Sequence, residues 1–260
     1  MKKIIKKISI SLFSVMGFSC VLWAVLFFNP RLSYANKTQI GQVTIFHNQD
    51  LDTGAEEVIN NVIEILKSSE LYDKNFKIQL CLNDDEIYPN LFPVRGTPLA
   101  HSRFNKTIIK NGEIRFNKNI IEIRWEAKNE LRKYNLTWLL AHEFTHNLEY
   151  NSNPRYMFRR PQGSIDWKLE GYADYIARRF KNDGKLRDKI EKYLIEENNI
   201  HNGLPASKDE VGSYLIYSNY KYALIVQYLM EIKKMNFDQV CELDKNINEI
   251  YSAMLEWRNN

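Results

Sequence analysis

The polarity pattern changes character three times along the 260-residue chain. Ile8 to Phe28, ISISLFSVMGFSCVLWAVLFF, is an uncharged run of 21 residues, long enough to cross a ~30 Å hydrocarbon core as a helix. Shorter patterns follow. QVTIF (42–46) and FKIQLCL (76–82) read as strands, and between them GAEEVINNVIEILKSSE (54–70) repeats apolar residues at helical spacing. Residues 83–103, with Pro89, Pro93, Gly96 and Pro98, read as an irregular loop. In TIIKNGEIRFNKNIIEIRW (107–125) an Asn-Gly pair between β-prone runs signals a hairpin turn. From Leu136 the helical period dominates, with helices expected near 136–150, 166–182, 185–196, 213–233 and 245–257 and a turn at HNGLP (201–205). This order predicts an α+β domain over 36–260, β-rich in 36–135 and all-helical in 136–260. A basic stub, an apolar helix and a linker precede it in 1–35, the linker running on to about residue 41.

Composition and charge narrow the picture. With 44% hydrophobic residues the chain can bury one good-sized core. The formal charge of +4 invites a nucleic-acid reading, which its distribution removes. Of 36 basic residues, five (Lys2, Lys3, Lys6, Lys7 and Arg31) lie in 1–35, leaving 31 against 32 acidic residues in the domain, with no basic stripe. The same asymmetry orients the apolar run: four lysines before it and one arginine after put the N-terminus in the cytoplasm and the domain outside, a single-pass cell-membrane protein. SYA at 33–35 has the form of a signal-peptidase site, but the apolar run is longer than a signal peptide's, which favours an uncleaved anchor. Cys20 lies in that run. Cys81 and Cys241 are one possible bridge, or two buried thiols.

The chemistry concentrates in LAHEFTHNLEY (140–150), which contains H-E-x-x-H. Residues four apart share a helix face, so His142 and His146 can point ring nitrogens at one metal ion. Glu143 projects beside that ion, where a general base for an activated water must stand. Trp138, Leu139, Leu140, Phe144 and Leu148 suit a buried helix, in which two histidines and an acid are costly without partners. Downstream, DWKLEGYADYIARRF (166–180) reads as a helix with Asp166 as N-cap. Glu170 and Asp174 share a face there. Glu170 can complete a His2Glu zinc site, and Asp174 can accept the other ring N–H of a ligand histidine. Gly171 and Ala173 allow close helix packing.

HEFTH followed by WKLEGYADYIA resembles the gluzincin clan of zinc metallopeptidases, in which the third ligand is the Glu of a helical E-x-x-x-D pattern about two dozen residues after the second His. Glu170 stands 24 positions after His146, and Asp174 takes the matching Asp. The resemblance covers about 120–230 and implies a small gluzincin-like zincin fold, bound Zn2+ and a peptide or protein substrate. It also implies a tyrosine facing the metal. Tyr220, in SNYKYALIVQYL, is the first choice, with Tyr217, Tyr222 and His201 as rivals. An edge strand pairing with the substrate is implied as well, for which NIIEIRW (119–125) lies at a fitting distance. Metzincins need a further His soon after the motif, where NLEYN stands; deformylase-like sites would need Cys81 as third ligand. A different class remains open, a non-catalytic module that keeps zinc as a staple and binds peptide or cell-envelope partners, although such a site has no use for Glu143. His47 and His101 lack partner spacing. Oligomeric state is not legible.

Overall fold

The alternating stretches become two sheets, and the helical period becomes a layered helical half. The computed structural model describes the chain except residues 1, 86, 92–98, 126–129, 159–165, 181–183 and 202–216; for side chains, 2–13, 125, 130, 157–158, 180, 200–201 and 217–218 are also excepted. Helix α1 (Lys2–Phe28) leads into β1 (Asn36–Ile40), β2 (Val43–His47), α2 (Ala55–Leu66), β3 (Ile78–Cys81), β4 (Ala100–Arg103) and β5 (Lys106–Ile109). These strands form one sheet in the order β1-β2-β3-β5-β4. Strands β2, β3 and β5 run parallel, and β1 and β4 close the edges antiparallel. The β2-α2-β3 crossover explains the parallel centre, because parallel strands need a helical return. Residues expected as linker (36–40) instead pair with β2, and the loop expected over 83–103 contains a 3-10 turn at Tyr88–Leu91 and strand β4.

A second, antiparallel sheet, β6 (Glu113–Arg115), β7 (Ile120–Trp125) and β8 (Glu130–Asn135), follows in the order of the chain. The Asn111-Gly112 pair therefore joins two sheets and is not the tip of a hairpin. Gly112 has φ +98°, and a Cβ there would come within 2.8 Å of Ile121 Cγ1, so glycine is required at this crossing. Polar ELRKYN has no alternating apolar face, which is why β8 was not expected. Its pairing uses charge: Lys133 and Arg115 reach the Glu122 carboxylate, 7% exposed, at 3.0 and 3.2 Å.

The helical half comprises α3 (Leu136–Ser152), α4 (Trp167–Ala177), α5 (Leu186–His201), α6 (Tyr217–Gln227), α7 (Phe237–Glu242) and α8 (Ile247–Asn259). The helix expected over 213–233 is described from Tyr217 and finishes as a π-turn at Tyr228–Ile232; 202–216, including most of the HNGLP turn, lie outside the described residues. Asn135 starts α3 by accepting from Trp138 N at 2.8 Å, and Asn119, at φ 52°, accepts from Thr137 N and Oγ1. Every residue from Leu136 to Tyr150 is buried, as expected of a helix enclosed on all sides. One face of the larger sheet (Val43, Ile45, Ile78, Leu80, Ile109) shares a core with α2 and α3. Helix α4 lies against α3 and α6; a Cβ on Gly171 would come within 2.7 Å of Tyr222 O, so only glycine lets the α4 and α6 backbones approach this closely.

The other face of the sheet is covered by the start of the chain. Phe46, Cys81 and Ile108 pack with Phe27, Tyr34 and Tyr88. Tyr88 Oη donates to Phe27 O at 2.7 Å, and Trp23 Nε1 to Leu91 O at 3.1 Å. The end of the expected membrane span is thus protein-packed, with Phe27 only 4% exposed. Among the described residues no helix is long and apolar enough to cross a membrane, so the single transmembrane helix gains no support from the fold. The side chains of Ile8 to Phe13 lie outside the described residues. Cys81 and Cys241 are buried in separate clusters as thiols, and burial pushes the Cys81 thiol far up.

Candidate metal centre

Helix α3 presents its two histidines one turn apart, with ring centroids 4.8 Å apart and planes at 88°. Helix α4, N-capped by Asp166 (Oδ1 accepts from Lys168 N at 3.1 Å), brings Glu170 against them. Glu170 Oε2 lies 3.3 Å from His142 Nε2 and 3.7 Å from His146 Nε2. One atom from each of the three residues falls within 4.8 Å of the others, and among the described residues this is the one His/Cys/Asp/Glu group that could hold a metal ion. Ligands around a tetrahedral ion with bonds of ~2.0–2.1 Å are themselves about 3.3–3.4 Å apart, a spacing that the Glu170–His142 pair matches. Glu143 stays outside the group, as its one-residue offset requires. Its backbone and carboxylate both meet Ser102 of β4.

The electrostatics fit a cation. Burial works against a charged His146, but the Glu149 and Glu170 carboxylates overcome it and hold its pKa well above the ordinary histidine value. Burial likewise opposes a charged Glu170, and the two histidines nevertheless hold its pKa well below the usual carboxylate range. A divalent cation among these atoms would supply the positive charge that both carboxylates favour.

The supporting residues differ from expectation. Asp174 does not orient a ligand histidine. Its Oδ1 accepts from Trp138 Nε1 at 2.9 Å and its Oδ2 from Arg178 Nε at 2.7 Å. Trp138 also packs beside His142, with ring centroids 5.9 Å apart, and the buried His142 Nδ1 has no hydrogen-bond partner among the described residues. The carboxylate that holds a candidate ligand is Glu149, fully buried, with Oε2 2.7 Å from His146 Nδ1. Its i+3 position in HNLE was readable by the rule that pairs the two histidines.

Tyr220 packs against Arg178. The Arg178 guanidinium sits 4.5 Å above its ring, Tyr193 is 5.9 Å away, and it lines a cavity of about 300 Å3 with Tyr175, Lys189 and Glu231. Among the described α6 side chains, Asn219 meets Glu170, its Nδ2 3.4 Å from Oε2. Tyr222 turns its carbonyl to Gly171, and the side chains of Tyr217 and His201 lie outside the described residues. His47 is held by Thr38 and Gln49, and His101 Nε2 accepts from Arg103 Nε. NIIEIRW is no edge, since β7 runs between β6 and β8; the edge strand against α3 is β4.

Fold and centre together define a mixed α/β protein with a His2Glu group, its histidines buried and its Glu170 partly so, that could hold a metal ion. Comparison of the chain with protein-family models, with curated proteins and with solved structures yields no match.

The reassigned partner gives a direct prediction. Glu149→Gln keeps the shape beside His146 but weakens the pull on its Nδ1 proton, and affinity for a divalent transition-metal ion should fall ~10–100-fold in chelator competition. Asp174→Asn should lower the melting temperature and leave affinity nearly unchanged. The reverse pattern would return the orienting role to Asp174.

Proposed function

We propose that this chain is a zinc metallopeptidase of the gluzincin type, attached to the membrane through its N-terminal helix with the domain outside. The observation that carries the reading is the meeting of His142 Nε2, His146 Nε2 and Glu170 Oε2 at ligand spacing, with Glu143 beside them but outside the group. The donor set supports zinc, since two imidazoles and one carboxylate are the ligands of one class of catalytic zinc sites and leave a position open. Zinc held there lowers the pKa of a water molecule and polarises a carbonyl. The chain's own residues supply the proton traffic. Glu143 accepts a proton from the attacking water as its oxygen bonds to the peptide carbon, and returns it to the amine nitrogen as the C–N bond breaks. Asn219, the α6 amide nearest the ligands, is a donor for the carbonyl oxygen in the role expected of Tyr220. The edge strand β4 offers its backbone to an extended peptide, pairing that reads main chain more than sequence.

Membrane attachment is supported by the apolar side chains α1 exposes. Val15, Phe18, Val21 and Val25 are 63%, 71%, 62% and 45% exposed, and lipid would cover them. Full-length protein should stay with membranes through a carbonate wash; recovery in the soluble fraction would contradict attachment.

Two glutamates separate peptidase from zinc-stapled module. Glu170→Ala removes a ligand and should lower zinc content and stability together. Glu143→Gln should keep zinc and melting temperature while hydrolysis of a peptide pool falls ~10²-fold or more. Hydrolysis insensitive to Glu143→Gln would remove Glu143 as base. A zinc-loaded parent that cleaves nothing would favour the binding module.

A further inference from the structure

Glu143 has a partner that the motif does not name. Ser102 on β4 is 2% exposed, and its Oγ lies 2.8 Å from Glu143 Oε2, 2.8 Å from Glu143 O and 2.7 Å from Thr107 Oγ1. Counting protons decides which of these is the hydrogen bond. Asn147 donates both amide protons to carbonyls, Phe104 O and Lys106 O, each at 3.1 Å, so its orientation is set and Oδ1 is an acceptor. Thr107 gives its single hydroxyl proton to that Oδ1 at 2.8 Å. Ser102 is left with one proton and three oxygens around it, and a carboxylate is the strongest acceptor of the three.

We propose that Ser102 is the positioning residue for Glu143, a role that rests on Glu143 acting as the base in the reading above. The hydroxyl holds Oε2 and leaves Oε1 for the proton in transit. Side chains alternate along β4, so Ala100 and Ser102 face the core while His101 and Arg103 face away; a one-residue slip would remove the hydroxyl from the base. Asn147, one turn after Glu143 on α3, grips the same β4–β5 hairpin through the Phe104 and Lys106 carbonyls. The strand open to an extended peptide and the side chain that moves the proton are therefore one hydrogen-bonded unit. A peptide settling on β4 meets a base already aimed.

The test compares the full-length parent, Glu143→Gln, Ser102→Ala, Ser102→Thr and Thr107→Val in zinc content, melting temperature, kcat and KM. Ser102→Ala should keep its zinc and lose roughly 10–100-fold in kcat with KM changed by less than about twofold, and Ser102→Thr should recover most of the loss. Thr107→Val leaves Ser102 facing Glu143, so it should lower the melting temperature without a matching loss of kcat. Parental kcat in Ser102→Ala, or an equal loss in Thr107→Val, overturns the proposal while Glu143→Gln still reports on the base. If the parent hydrolyses nothing, the peptidase reading fails, and crystal structures of the parent and Ser102→Ala decide the positioning claim alone. A Glu143 carboxylate displaced by more than ~1 Å upholds it, and an unmoved one overturns it.

Discussion

Burying charge is the constraint on which this structure turns. Between α3 and α4 the chain withdraws His142, Glu143, His146, Glu149 and Asp174 from water, with Glu170 partly buried at their border. Charged groups so deep are tolerated only when paired or when they share a cation. Asp174 is settled by Arg178 and Trp138, and Glu149 by His146. The two histidines and Glu170 converge on a common point. Much of the surrounding architecture serves that convergence: caps at Asn135 and Asp166 fix where the helices begin, Gly171 lets α4 settle against α6, and the sheet backs α3 through Ser102, Thr107 and Asn147.

What was legible in the sequence was local. The i, i+4 histidines, the buried character of α3, the cap at Asp166 and the closeness permitted by Gly171 follow from helix geometry and side-chain size, and the structure contains each of them. The meeting of Glu170 with the histidines is long-range; its side-chain chemistry allowed it, and the family resemblance pointed to it. Errors arose where neighbours compete or where one residue of phase matters. Asp174 had the spacing to serve a ligand, but Trp138 and Arg178 reach it, one from the facing helix and one from the next turn. Tyr220 and Asn219 differ by one position, about 100° of helix rotation, and Asn219 faces the ligands.

Sheet order was illegible for another reason. A strand's pattern reports which faces are buried and says little about which neighbours it takes. NIIEIRW has the composition of a strand, and only tertiary pairing puts β6 and β8 on its two sides. Strand β4, short and embedded in a stretch rich in proline and glycine, carried no comparable signal, yet it is the strand that reaches Glu143. The N-terminal run shows the same limit. Its polarity pattern reads as a lipid-facing helix, while its last turn also supplies Phe27 to the outer face of the sheet.

X-ray absorption at the metal edge of the purified chain tests the central claim most directly. The account predicts one zinc per chain in a nitrogen and oxygen shell at ~2.0–2.1 Å, with the multiple scattering of two imidazoles, reduced to one imidazole by His146→Ala. A sulfur scatterer at ~2.3 Å, or two imidazoles persisting in His146→Ala, would contradict the assignment of His142, His146 and Glu170.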